Sequence, residues 1–465
     1  MSDGRRIFRN FSALMAAQIV SNLAGLVTTA WLARALLPEA FGVIGWGVAV
    51  IGYLGLLVNF GIDRHALRLI SRAPDGIRDI AGAVLGVRLV LAAILYVVWI
   101  GFIMLLDRDP LVTTVFAVQG LGLFVTAITL DFAFQAVERM GINAARQIAA
   151  SLLGLAGALL LVAGPDDVAL AAAVTVGATG LATIGALAAF RGRYGLPPLA
   201  WQPGRWRGML RASAPVALAG ILTTIYITAD LVMLGFMADA HEVGLYSASA
   251  RLAVMAVVPA SIAGAAFLPQ LAAARDDPSR RNRIAARHAA PVLVVGAALA
   301  ALAIAYPSHL LGIVFGEAYL PATATLALLL GASAVTCLRL CHDSALLAWD
   351  FDRERLMTLG GAAALNIALN LVLIPRYGGY GAAMATLAAE ATAFLSMAAL
   401  AWLRAGLNLA VPVLAGCLLA AVLAALCLGF APDPLAKPMQ ALGVIGVCGI
   451  VSAGAWRLLD RRSAR

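Results

Sequence analysis

The sequence predicts an all-α integral membrane protein of about fourteen transmembrane helices, two six-helix lobes related by a pseudo-twofold axis plus two C-terminal helices. Composition, the spacing of apolar runs and the sidedness of arginine carry that expectation. Of 465 residues, 62% are hydrophobic and 12% charged, and the mean hydropathy is +0.93, whereas soluble domains carry roughly 25% charged residues. The apolar stretches recur from Phe11 to Trp456 with short polar gaps. A soluble globular protein is therefore excluded, and so is a soluble enzyme on a single membrane anchor.

A membrane helix needs about 20 apolar residues, and such runs fall at 11–35, 42–62, 81–106, 111–135, 147–164, 168–190, 213–237, 244–268, 289–314, 322–347, 356–374, 379–403, 410–430 and 439–457. The first follows the basic start MSDGRRIFRNF; its apolar run exceeds a signal h-region, so it is expected to remain as a helix. LLPEAFG (36–42) separates spans 1 and 2 with Pro and Gly, and an arginine cluster, Arg64 to Arg78, separates 2 and 3. DRDP (107–110), Arg139 with Arg146, and PDD (165–167) mark the next three turns. A basic, Pro-, Gly- and Trp-rich segment (191–211) divides six spans from the rest and reads as an interfacial linker. The turns after that hold HEVG (241–244), the run Arg275 to Arg287, VFGEAYLPA (314–322), Arg353 with Arg355, IPRYGG (374–379), Arg404 and PDPLAKP (432–438). The domain reading is a lobe at 1–195, a second at 205–405, and two further helices with a basic tail at 410–465.

Charge tests this layout, because it was not used to draw the spans. With the N-terminus in the cytoplasm, nearly all arginines fall on one side; the other receives only Arg34, Arg108, Arg376 and Lys437. This asymmetry predicts an even span count with both termini cytoplasmic. It also accounts for the net charge of +9 without invoking nucleic acid. The external loops are too short for a soluble catalytic or receptor domain. The five cysteines lie in apolar runs with no CxxC and no Cys/His cluster, so neither disulfides nor a metal site is expected. GxxxxGK[ST] is absent, and no ATP hydrolysis or cofactor is expected. The five histidines, mostly near helix ends, are expected to be solvated at the interface.

Two segments recur about 200 residues apart. WLARALLPEAFGVIGW (31–46) corresponds to MLGFMADAHEVGLYSA (233–248), and GPDDVALAAA (164–173) to IPRYGGYGAAMA (374–385). Both halves begin on the same side, which is a parallel repeat about an axis normal to the membrane, the arrangement of alternating-access transporters.

LARALLPEAFG (32–42), FQAVERMGINAAR (134–146), ADLVMLGF (229–236), EVGLYSASARL (242–252), VFGEAYLPA (314–322) and NIALNLVLIPRYGGYGAAMATLAAE (366–390) resemble the polysaccharide-biosynthesis flippases of the Wzx type, in the multidrug/oligosaccharidyl-lipid/polysaccharide superfamily. The resemblance spans helices 1 to 12. It implies translocation of an undecaprenyl-diphosphate-linked oligosaccharide across the bacterial cytoplasmic membrane, with membrane lipids and polysaccharide polymerase or export machinery as partners. The alternative of the same architecture is a MATE-like exporter of organic cations. That type uses a carboxylate in helix 1, and none stands between Phe11 and Arg34.

Ionisable residues inside spans are costly and mark functional sites unless they reach an end. Arg88, Arg251 and Arg339 are the intramembrane cations; guanidinium binds a diphosphate bidentately without losing its proton. The structural alternatives are snorkelling for Arg88 and Arg251 and an i,i+4 pair with Asp343 for Arg339. Asp230 and Glu390 lie deep in helices 7 and 12 and are candidates for H⁺ or Na⁺ coupling; a structural arginine partner is the alternative for Asp230. Gln18 with Asn22 and Asn366 with Asn370 are i,i+4 amide pairs that face either a cavity or a neighbouring helix. Asp131 and Asp343, near cytoplasmic ends, are expected to be solvated. Sugar specificity is expected to arise from cavity shape and a few polar contacts.

Overall fold

The computed structural model describes residues 3–106, 109–199, 201–409, 413 and 416, and is all-helical with no strand among them. Nearly all of predicted spans 13 and 14, and the basic tail, lie outside the described residues. Among the described residues, ten helical stretches are long and apolar enough to cross a membrane. The chain divides into two compact units, Met1–Thr224 and Ile225–Arg465.

Unit 1 begins with α1 (Asp3–Asn59), which is too long for one crossing and is broken at Leu37, with φ 61° and ψ 168°. Pro38 follows at once: it cannot supply an N–H to the helix, so the break falls where LLPEAFG predicts a turn. A left-handed Phe60 and Gly61 then redirect the chain into α2 (Ile62–Arg72), a short amphipathic helix burying Ile62, Ala66 and Ile70. α3 (Ile77–Leu105) and α4 (Pro110–Gly120) follow; Asp109 caps α4 by accepting the Leu111 N–H at 2.7 Å, with Pro110 in the first turn.

The predicted fourth span is not one helix. It breaks after α4 into α5 (Gly122–Ala127) and α6 (Asp131–Ala136), with turns at Leu121 and 128–130. α7 (Met140–Leu161) packs against α1 and against α8 (Val168–Tyr194), and a 3-10 turn at Pro165–Asp167 joins them. Asp167 holds that turn by accepting the N–H groups of Ala163 and Gly164 at 2.8 and 3.1 Å. A core of Ile70, Val84, Phe132, Phe134 and Phe190 ties α2, α3, α6 and α8 together.

The linker after α8 lies on α3. Arg78 donates from Nε to the Leu196 carbonyl at 2.8 Å. Pro198 and the half of Trp206 nearest α3 occupy the space over Gly82 and Gly86, one turn apart, where a Cβ at Gly82 would fall 2.3 Å from the Pro198 carbonyl oxygen. Trp206 is buried, against the exposed Trp201 with ring centroids 4.8 Å apart. α9 (Pro203–Met237) crosses the division between the units.

In unit 2, α10 (Ala240–Ala273) is capped by Asp239, which accepts the Glu242 N–H at 2.8 Å. α11 (Pro278–Ala305) stops at Tyr306 because Pro307 opens α12 (Pro307–Val314), so the predicted ninth span is also two helices. α13 (Thr323–Ala348) is central and packs against α10, α11 and α14 (Asp352–Ala405). α14 is broken at Gly378, φ 54° and ψ −135°, which glycine adopts without a Cβ penalty. The Glu242 carboxylate accepts the next N–H, of Gly379, at 3.0 Å and so clamps the break to α10.

Candidate functional site

The intramembrane ionisable residues fall into separate clusters, two of which are internally neutralised. Arg88 on α3 is 1% exposed. Its Nη2 donates to Asp63 Oδ1 at 2.5 Å and Asn59 Oδ1 at 2.7 Å, its Nη1 donates to the Thr129 carbonyl at 3.1 Å, and the guanidinium lies 5.5 Å from the Phe132 ring centroid. The break at Phe60–Gly61 makes this possible, because it turns Asn59 and Asp63 back toward α3, and Asn59 Nδ2 donates to Asp63 Oδ2 at 2.9 Å.

Asp131, expected to be solvated, instead pairs with Arg146: Nε donates to Oδ1 at 2.8 Å and Nη2 to Oδ2. Both ion pairs line one cavity of about 640 Å³ in unit 1, together with Asn59, Gln119 and four threonines. Gln119 lies on α4 and donates to the Ile44 carbonyl at 3.1 Å. Gln18 donates to Asn22 Oδ1 at 2.9 Å and accepts from Gln147 Nε2 at 3.0 Å, joining α1 to α7. This amide pair is not among the residues lining the cavity.

Unit 2 contains the other neutralised cluster. Arg339 does not pair with Asp343. Its Nε donates to Glu390 Oε2 at 2.9 Å, Tyr226 donates to Glu390 Oε1 at 2.6 Å, and the guanidinium sits 5.6 Å from the Tyr226 ring centroid. Asp343 is taken instead by Arg355, through Nε at 2.7 Å and Nη2 at 3.1 Å, so neither expected solvated aspartate is free. Asp230 is buried and forms no ion pair among the described residues. It accepts from the Tyr246 hydroxyl, from Thr386 Oγ1 at 3.3 Å and from the Leu231 N–H at 2.8 Å. Arg251, on α10, is exposed and also has no ion-pair partner among the described residues. Asn370 donates to Asn366 Oδ1 at 2.9 Å, with both side chains buried.

Two histidines depart from the interfacial expectation. His288 is fully buried beside Phe267, and His342 is buried with Nδ1 3.0 Å from the Leu338 carbonyl. No group of three His, Cys, Asp or Glu side chains able to hold a metal occurs among the described residues.

Sequence reasoning found the deep charges because each interrupts an apolar run. It missed Asp63, Asp131 and Arg146, which fall at the ends of predicted spans. The threonines were also missed, although Thr175, Thr179 and Thr183 recur at i,i+4 on α8, a period that puts them on one face.

The model of the family described as polysaccharide biosynthesis protein matches residues 7–274. The chain belongs to that family. Among solved structures, this polysaccharide biosynthesis protein is similar to the lipid II flippase MurJ in an inward closed conformation, with a TM-score of 0.79 at 11% identity over 97% of this chain and 99% of that one. An inward-facing multidrug resistance MATE family transporter of the MOP superfamily matches with a TM-score of 0.64 at 14% identity, covering 87% of this chain and 95% of the other. The MATE multidrug transporter DinF-BH gives 0.57 at 16%, covering 87% and 96%. No curated protein matches the sequence. The family member is thus a multi-pass membrane protein with the fold shared by MurJ and the MATE transporters.

Proposed function

We propose that this protein is a flippase that moves a polyprenyl-diphosphate-linked oligosaccharide, with undecaprenyl as the carrier, across the bacterial cytoplasmic membrane by alternating access between two lobes. The observation that carries this reading is the family match over 7–274 on a chain with the fold of a lipid II flippase. Fourteen spans with cytoplasmic termini fit the arginine asymmetry. Polysaccharide polymerase or export machinery would receive the product.

Arg251 is the strongest of the three arginine candidates for the diphosphate, since its charge is not already neutralised among the described residues, whereas Arg88 and Arg339 each face a carboxylate. For coupling to H⁺ or Na⁺, Asp230 is favoured over Glu390 on the same ground: Glu390 is occupied by Arg339, while Asp230 meets only hydroxyl and backbone donors. Asn366 and Asn370 share one hydrogen bond, and the buried Asn370 Oδ1 has no partner among the described residues, so this pair stays a candidate polar group for the substrate path. A MATE-like cation antiporter is disfavoured by the lack of a carboxylate between Phe11 and Arg34.

The test is translocation of a fluorescent undecaprenyl-diphosphate-linked sugar in proteoliposomes. Native protein is expected to flip it. Arg251→Ala is expected to slow flipping about tenfold or more, the loss of a charge-assisted hydrogen bond. No flipping by well-folded native protein, with export of an organic cation instead, rejects the reading.

A further inference from the structure

The cavity of unit 1 has a chemical character of its own. It holds two arginines and two aspartates in two pairs, so its lining carries no net charge. Its volume of about 640 Å³ lies within the roughly 300–1,000 Å³ of small-molecule sites.

The donors in its wall are largely spent on the protein itself. Arg88 uses both terminal nitrogens on Asn59, Asp63 and Thr129 and keeps only its buried Nε–H without a partner among the described residues; Arg146 binds Asp131 through Nε and Nη2, leaving Nη1; and Gln119 Nε2 is held by Ile44. The four lining threonines each donate to a backbone carbonyl one turn earlier: Thr126 to Gly122 at 3.0 Å, Thr129 to Val125 at 2.9 Å, Thr175 to Ala171 at 2.9 Å and Thr179 to Thr175 at 3.0 Å. A hydroxyl has one proton and two lone pairs. With the proton so committed, each threonine offers the cavity acceptors only.

A wall rich in acceptors, with a few guanidinium N–H groups left over and no net charge, suits a neutral ligand that brings its own O–H or N–H groups and can also accept. An ionised diphosphate brings acceptors alone, finds no use for the threonine and carboxylate acceptors of this wall, and meets guanidinium charges already offset by Asp63 and Asp131. A lipophilic cation without N–H groups finds both carboxylates already compensated. We propose that this cavity is a binding site for a neutral, polyhydroxylated sugar, distinct from the place where the lipid diphosphate is held. The assignment deepens the flippase reading and takes its biological meaning from it, but it can be tested without transport.

Thr175 is an exposed member of the lining. In the full-length Thr175→Cys protein in nanodiscs, labelling by a small maleimide is followed at the peptide carrying residue 175 by mass spectrometry. The probes are glucose, N-acetylglucosamine, rhamnose, inorganic pyrophosphate and tetraphenylphosphonium. At least one neutral sugar is expected to slow labelling about fivefold or more, with pyrophosphate and tetraphenylphosphonium without effect. Adding Thr179→Val, which removes one acceptor while keeping size, is expected to weaken that protection about fivefold, the effect of one hydrogen bond. Gly204→Cys, at an exposed position with open space around it, reports any general slowing by the probes. The proposal is overturned if no sugar protects Cys at 175, or if pyrophosphate or tetraphenylphosphonium protects it as strongly as the best sugar. Sugar protection in a protein that flips no lipid-linked sugar would keep this site and remove the transport reading. Flipping without sugar protection would do the reverse.

Discussion

Arg88 is 1% exposed and its partner Asp63 36%, so the two ends of this pair respond differently to substitution. Removing Asp63 leaves a guanidinium inside the protein with only neutral acceptors. Asp63→Ala is expected to cost about 2 to 3 kcal/mol, at or below the low end for breaking a buried pair because water reaches Asp63. The double variant Asp63→Leu, Arg88→Met should lose less than Asp63→Ala alone, since no charge is stranded; thermal unfolding of purified protein in detergent compares the two. Asp230 has no cation to strand among the described residues. Asp230→Asn should therefore leave folding nearly unchanged while abolishing any dependence of lipid flipping on a proton or sodium gradient; flipping that keeps its native gradient response would remove Asp230 from the coupling role. The depth of Arg88, Arg339 and Glu390 is legible in the sequence, because one charge in an apolar run stands out. Their partners are not. Arg339 and Glu390 are on different helices, 51 positions apart, and the nearest sequence candidate for Arg339, Asp343, goes to Arg355 instead.

At the level of elements, small residues decide where backbone can approach backbone. Gly82 and Gly86 admit the linker onto α3, and a side chain at Gly82 would run into the Pro198 carbonyl, which is backbone and cannot step aside. Gly82→Val should destabilise by about 1 to 3 kcal/mol, as overpacking does, and should raise hydrogen exchange across 195–202. Gly360→Val, with open space around it, is the matched control and should leave exchange there unchanged. The Glu242 clamp makes a second element-scale prediction. Glu242→Ala leaves the Gly379 N–H without its acceptor and should cost about 1 kcal/mol, read as faster amide exchange confined to 376–381. Proline and glycine signals made the breaks near Leu37 and Gly378 readable in advance. The interruption of the fourth span was not readable, because LGLFVTAITL (121–130) holds no charge and no proline and hydropathy responds to polarity, not to backbone direction. Pro307 was a visible signal for the split of the ninth span, outweighed by the apolar residues on both sides of it.

For the whole molecule, the arginine distribution makes a sidedness prediction that the helices alone do not. Single cysteines at Gly204 and at Asp166 should label from opposite faces of the membrane in spheroplasts, the first only after the membrane is permeabilised and the second without permeabilisation. Labelling of both from one face would overturn the predicted topology. The repeat is a reading of the turn residues alone, and the chemistry of the two units differs: one encloses a cavity with two ion pairs, the other an Arg–Glu–Tyr cluster and an aspartate with no ion pair among the described residues. The short breaks of α1 and α14 also bear on how the protein is made. Each is broken at one non-helical residue with no long polar loop between its limbs, and the charges near the two breaks are few: Arg34, Glu39 and Arg376. A translocation channel inserting either pair has little that is hydrophilic to pull through; the two limbs of α1 can partition into lipid together before the rest of unit 1 has been synthesised, whereas those of α14 enter when α10 to α13 have already been made.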